Sequence, residues 1–214
     1  SPREESMSAS KIQIWNMALG FIGTRTVASE NERTPEAIQC ALYWDNARRA
    51  CLRDYPYNFA QARAQLASIA VPETYADEWR YAYRLPDLCL KAHKVVGATC
   101  GCANATDRRI PFIIVSDTEK MELLLSNAEK VRLDYTRDVP EVALWDDLFI
   151  GMMARKLASL ICVPLLKNNT TKVQELEQLY RASLPKAMEA NASERREKPY
   201  RDTWIAARGG WYDA

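Results

Sequence analysis

The apolar residues of this chain change their period twice, and that change sets the fold class. They recur at helical spacing up to about residue 54, alternate with polar or small residues between about 79 and 135, and return to helical spacing beyond 140. A segment patterned with period 3.6 buries a stripe, whereas one patterned with period 2 buries a face, so neither can stand in for the other. The expectation is an α+β fold, mainly α. It comprises an antiparallel helical bundle, a small antiparallel β-sheet inserted at about 75–137 and an extended C-terminal arm. Helices are expected over about 10–54 and 140–192, residues 8–193 as one domain and 194–214 as the arm.

Capping signals place the helix starts. Ser10 precedes Ile12, Trp15, Leu19 and Ile22, with Gly23 positioned to end the helix. Thr34-Pro35-Glu36 combines a cap, a proline at the first helical position and an acid at the positive end of the dipole. The helix it opens should bury Ile38, Ala41, Trp44, Ala47, Cys51 and Leu52, leaving Arg48, Arg49 and Arg53 on another face. Asp138-Val139-Pro140-Glu141 predicts a third helix with Val142, Trp145, Phe149, Met152, Leu157 and Leu160 inside, ending before Pro164. A last helix spans about Asn168–Ala192, with a kink expected at Pro185. Between these lie Trp79–Leu85, Ile110–Val115, Met121–Leu125 and Val131–Thr136, a meander of about four strands, with 89–97 extended but ambiguous in period.

Composition narrows the function. Lys and Arg number 29 against 28 Asp and Glu, a net charge of +1, which argues against a protein built mainly to grip nucleic acid or an anionic membrane. Seven glycines in 214 residues are less than half the usual share, leaving little material for phosphate-cradling loops. No G-x-G-x-x-G, G-x-x-x-x-G-K-[ST] or G-x-S-x-G occurs. His93 is the single histidine, so a multi-histidine metal centre is excluded and only one base exists for a nucleophile pair. Cys89, His93, Cys100 and Cys102 form the most site-like cluster, but they lack a second zinc knuckle and read as free thiols beside a strand histidine. Asp146-Asp147 suits the positive end of a helix better than a metal. The expectation is no enzyme, no cofactor and no metal.

Residues 1–7 have no apolar core and read as an added, disordered leader before a native initiator at Met7, with no secretory signal. No run of about 18 uninterrupted apolar residues is present. The six cysteines then read as thiols of a reducing compartment. At the other end, Tyr200, Arg201, Trp204, Ile205, Arg208 and Trp211 follow a charged stretch and lie beyond the expected core. Aromatic residues and arginine dominate binding hot spots, so this tail is read as a partner-docking arm. Arg48, Arg49 and Arg53, with Asp45 and Asp54 beside them, are read as a subunit or channel face.

Several stretches taken together resemble the head-to-tail adaptor (connector) proteins of tailed bacteriophages, the group that includes tail tubular protein A. They are Ile12–Gly23, Ala47–Ala60 with its Leu-Arg-Asp-Tyr-Pro-Tyr-Asn-Phe-Ala run, Tyr81–Leu90, Val131–Val139, Leu144–Leu160 and Trp204–Gly210, in the family's order. The cysteine-rich loop at 97–109 departs from that pattern. The resemblance implies a structural protein that forms a ring, usually dodecameric, under the portal and extends the DNA channel toward the tail. Its partners would be the portal protein, a tail or nozzle protein below, its own copies and passing double-stranded DNA, with no membrane. It would sit at the head–tail junction of the virion, assemble in the bacterial host cytoplasm, and be able to remain a monomer until the portal templates the ring. A near-neutral chain suits a channel through which DNA slides. The residues alone leave an alternative, a helical nucleic-acid-binding protein of phage DNA packaging using Arg48, Arg49, Arg53, Arg195 and Arg196.

Overall fold

A computed structural model of the chain describes residues 10–97, 110–116, 122–167 and 169–193. Four helices and seven strands make a mixed α+β fold. The helices are α1 (Lys11–Ile22), α2 (Pro35–Asp54), α3 (Asp147–Leu165) and α4 (Thr170–Ser193). The strands are β1 (Gln61–Gln65), β2 (Ser68–Ile69), β3 (Tyr81–Arg84), β4 (Cys89–Gly97), β5 (Phe112–Ser116), β6 (Glu122–Ser126) and β7 (Val131–Arg137).

The first two helices start where their caps predict. Ser10 and Gln13 form a reciprocal capping box on α1, and Gly23 ends it in the left-handed region at φ 74°. Thr34 caps α2 through the Ala37 amide, with Pro35 in the first turn. The buried stripe of α2 differs from the expected one: Ala37, Cys40, Trp44, Ala47, Arg48, Cys51 and Leu52 face inward, while Ile38 is 52% exposed and Ala41 is exposed. The stripe enters one residue earlier than expected, through Ala37 and Cys40, which keep helical spacing to Trp44, Ala47 and Cys51.

The third helix, unlike the first two, starts later than predicted. Residues Val142–Leu144 form a short 3₁₀ turn, and α3 begins at Asp147, capped by Asp146 through the Phe149 amide at 2.6 Å. Asp138 cannot serve as a cap because its carboxylate is committed to Arg48 and Arg49. At its other end α3 runs past Pro164 to Leu165. Asp147–Leu165 is long and apolar enough to cross a membrane, with mean hydropathy 1.7, but it carries Arg155 and Lys156 and is 56% buried in the protein. It is the central helix, packed against α1, α2 and α4. The fourth helix continues through Pro185 as one element.

The sheet prediction needs the larger correction. The strands form two antiparallel sheets, ordered β1-β7-β4 and β2-β3-β6-β5, in place of one four-stranded meander. The sequence reading missed β1 and β2. In Gln61-Ala-Arg-Ala-Gln65 the inward positions are alanines, which fit opposite Tyr135 and Leu133 but carry almost no hydrophobic signal. Leu66 and Ala67 carry the chain from one sheet into the other, and on the far side the Ile110 amide donates to the Val95 carbonyl at 3.0 Å. The sheets therefore share a core of Leu66, Tyr83, Leu85, Val95, Leu124, Val131, Leu133 and Tyr135. Central β6 is buried from Leu123 to Ser126, which accounts for its unbroken Leu-Leu-Leu run.

The helical core is separate. A chain of aromatic rings runs through it: Trp15 meets Trp44 edge-on, Trp44 stacks on Trp145, and Trp145 meets Phe149, which touches Tyr57 and Phe59. Centroid separations of 4.9–6.4 Å are those at which such pairs add about 0.5–1.5 kcal/mol each beyond burial.

Candidate functional site

The two cores meet where α2 ends, β4 begins and β7 finishes, and this junction holds the densest polar network of the described residues. Arg48 on α2 is 4% exposed, and its guanidinium grips Asp138 in a fork, Nε to Oδ1 at 2.8 Å and Nη2 to Oδ2 at 2.9 Å. Its remaining nitrogen Nη1 donates to Asp45. Arg49, largely exposed, adds a bond from Nε to Asp138 Oδ2 at 3.2 Å. Burial of Asp138 opposes its ionisation, but hydrogen bonds and charge from Arg48, then Arg49, outweigh it and hold the carboxyl below its usual range. The Asp138 amide in turn donates to the Leu88 carbonyl at 2.8 Å, and Lys91 Nζ caps the Arg53 carbonyl at 2.9 Å. These bonds tie the last turn of α2 to both strands.

The fourth helix docks on the same end. Tyr180 donates to Asp54 Oδ2 at 2.6 Å, and Asn191 bridges to Asn58 by two bonds of 3.0 Å. On its flank, Glu177 accepts from Lys156 and Ser159 at 3.1 and 2.9 Å. Burial raises the Cys51 thiol to about 12, and likewise Cys40, so both are inert core groups and not nucleophiles.

The structure thus corrects the sequence reading of the three arginines. Arg49 and Arg53 are exposed, but Arg48 belongs to the buried side and its charge is spent inside the chain. The signal that would have revealed this is its place three residues after Asp45 and four after Trp44, on the inward stripe. Asp138 was read as a helix cap, and its true role depends on a partner 90 residues away.

The other candidates are dispersed. His93 Nε2 lies 2.7 Å from Thr136 Oγ1 on the outer face of the three-stranded sheet. Cys89 is half-buried at the β4 start, its thiol pushed up to about 11 chiefly by burial. Cys100 and Cys102 lie outside the described residues, among which no group of three or more His, Cys, Asp or Glu side chains is placed to hold a metal ion. The arm residues Tyr200, Arg201, Trp204, Ile205, Arg208 and Trp211 also lie outside the described residues. Surface depressions occur beside Arg84, Asp87, Cys89 and Glu122, and beside His93, Lys94 and Phe112. The first places the Cys89 thiol among Asp87 and Glu122, and Glu122 adds to the burial that keeps the thiol protonated. The chain matches no protein-family model and no curated protein sequence.

Proposed function

We propose that this chain is a structural head-to-tail adaptor of a tailed bacteriophage. In this reading residues 8–193 form an antiparallel helical bundle with its β insertion, and 194–214 form an arm that docks on the portal. The observation that carries it is where the stretches that resemble the adaptor family fall. Ala47–Ala60, Tyr81–Leu90, Val131–Val139 and Leu144–Leu160 supply Arg48, Arg53, Leu88 and Asp138, which join α2 to the strand ends, and Asp54, Asn58 and Phe149, which hold the helical half together. The segments that carry the resemblance are therefore the ones that set the fold's joints.

Surface apolar pairs support a protein that packs against copies or partners. Ile38 and Leu42, 52% and 67% exposed, lie one turn apart on α2, and Leu144 and Leu148 are exposed on either side of the start of α3. Such an adaptor needs no catalytic group, cofactor or metal, and works as a ring, dodecameric in the family, around passing duplex DNA. Its place is the head–tail junction of the virion, after assembly in the host cytoplasm, between portal and tail protein.

Deleting residues 199–214 is expected to leave the thermal transition within a few degrees of the full chain while abolishing co-sedimentation with portal particles. Undiminished co-sedimentation of the truncated chain would refute arm docking.

A further inference from the structure

The end of α4 is held by a buried amide. Of residues 186–193 only Ala187 and Asn191 are buried, and Asn191, 4% exposed, has both polar atoms of its side chain bonded within the chain. Its Oδ1 accepts from the Asn58 amide, and its Nδ2 donates to the Ala187 carbonyl, each at 3.0 Å. Its own carbonyl accepts from Asn58 Nδ2, also at 3.0 Å. A carbonyl in the last turn of a helix has no donor within the helix, so Asn58 caps α4 from outside. Tyr55 adds a bond from its hydroxyl to the Met188 carbonyl at 3.3 Å. The receiving segment is itself fixed. Asn58 opens a 3₁₀ turn where the chain passes from α2 to β1, and Tyr57 and Ala60 on either side of it are fully buried.

Pro185 sets this end apart from the rest of the helix. Proline has no amide hydrogen, so position 185 cannot donate to the Arg181 carbonyl one turn back. Residues 170–184 have anchors of their own in Leu176, in Tyr180 on Asp54 and in Glu177 on Lys156. Beyond the proline the only buried apolar side chain is Ala187, whose single methyl group cannot select a direction, whereas hydrogen bonds to a buried amide are directional. We propose that Asn191 is a positioning residue. Bonded to Asn58, it fixes the place and direction in which the chain leaves the fold after Ser193. Pro185 is the hinge about which residues 186–193 swing once those bonds are broken. The role assigned to Asn191 rests on the adaptor reading in one respect, that residues 194–214 are an arm that docks on the portal. An arm rooted at a fixed point loses less freedom on docking, so it binds more tightly than one rooted on a loose helix end.

The test compares the full chain with Asn191→Ala, which removes both side-chain bonds, and Asn58→Ala, which removes only the donor to the Asn191 carbonyl. Hydrogen exchange of the isolated chain should show amides of 186–193 exchanging about tenfold faster in Asn191→Ala, and less than that in Asn58→Ala. Exchange over 170–184 should not change in either. Affinity for portal particles, read by co-sedimentation, should fall in the same order, about tenfold for Asn191→Ala, with the thermal midpoint within a few degrees of the parent. Met188→Ala, at an exposed position of the same turn, should alter neither reading. Faster exchange spread evenly along α4 would overturn the hinge. A variant with a loosened helix end and undiminished portal affinity would overturn the positioning role, because a merely structural bond would change exchange and stability alone. Failure of the parent chain to co-sediment is a separate result. It would remove the adaptor reading and the arm's role with it, while the exchange comparison would still decide whether Asn191 holds the end of α4.

Discussion

Arg48 and Asp138 are nearly sealed from water and separated by 90 residues of chain, so each depends on the other for compensation of a buried charge. Removing one member of such a pair leaves its partner charged and unsolvated, at a cost of about 3–5 kcal/mol. Asp138→Asn should therefore lower the denaturation midpoint by several degrees, and Arg48→Met should do the same. Because the folded Asp138 carboxyl sits below its usual range, its contribution is fully present above about pH 4 and lost as pH falls through the lower folded value. Chemical denaturation between pH 2 and 6 should accordingly show a shallower acid limb in Asp138→Asn than in the parent. A parallel pair of limbs would deny Asp138 this role. Tyr57 makes the opposite case. Its ring is fully buried against Phe149, yet its hydroxyl has no hydrogen-bond partner among the described residues. Tyr57→Phe removes an unsatisfied polar atom and should leave stability unchanged or raise it by up to about 1 kcal/mol, read from urea unfolding.

At the scale of elements, α4 is the least embedded helix. Of its 24 residues only Leu176, Tyr180, Ala187 and Asn191 are buried, whereas α3 buries ten of nineteen. Polar contacts with Asp54, Asn58 and Lys156 reinforce its apolar packing on α3. Hydrogen exchange should find α4 amides opening before those of α3, and Tyr180→Phe should widen that gap by about 1–2 kcal/mol, since it strips the charged Asp54 of a donor. Equal protection of the two helices would show that α4 opens only with the whole fold. The same elements show what was legible beforehand. The starts of α1 and α2 were readable because caps act within three residues of the helix they begin. The inward face of β7 was readable because Val131, Leu133 and Tyr135 alternate with Arg132 and Asp134. Strand β1 was hidden because alanines suffice opposite large neighbours, and the start of α3 was misread because Asp138 answers to a distant arginine. The division into two sheets turns on Leu66, where no glycine or proline marks the crossing.

At the scale of the molecule, the described residues form two hydrophobic cores joined through the Arg48–Asp138 network. The sequence reading of net charge excluded strong DNA gripping. The most direct measurement is electron cryomicroscopy of virions, or of portal complexes reconstituted with this chain. The account predicts a closed ring of copies beneath the portal, with density for residues 194–214 reaching the portal surface. Portal complexes saturated with the chain yet showing no such ring would contradict it.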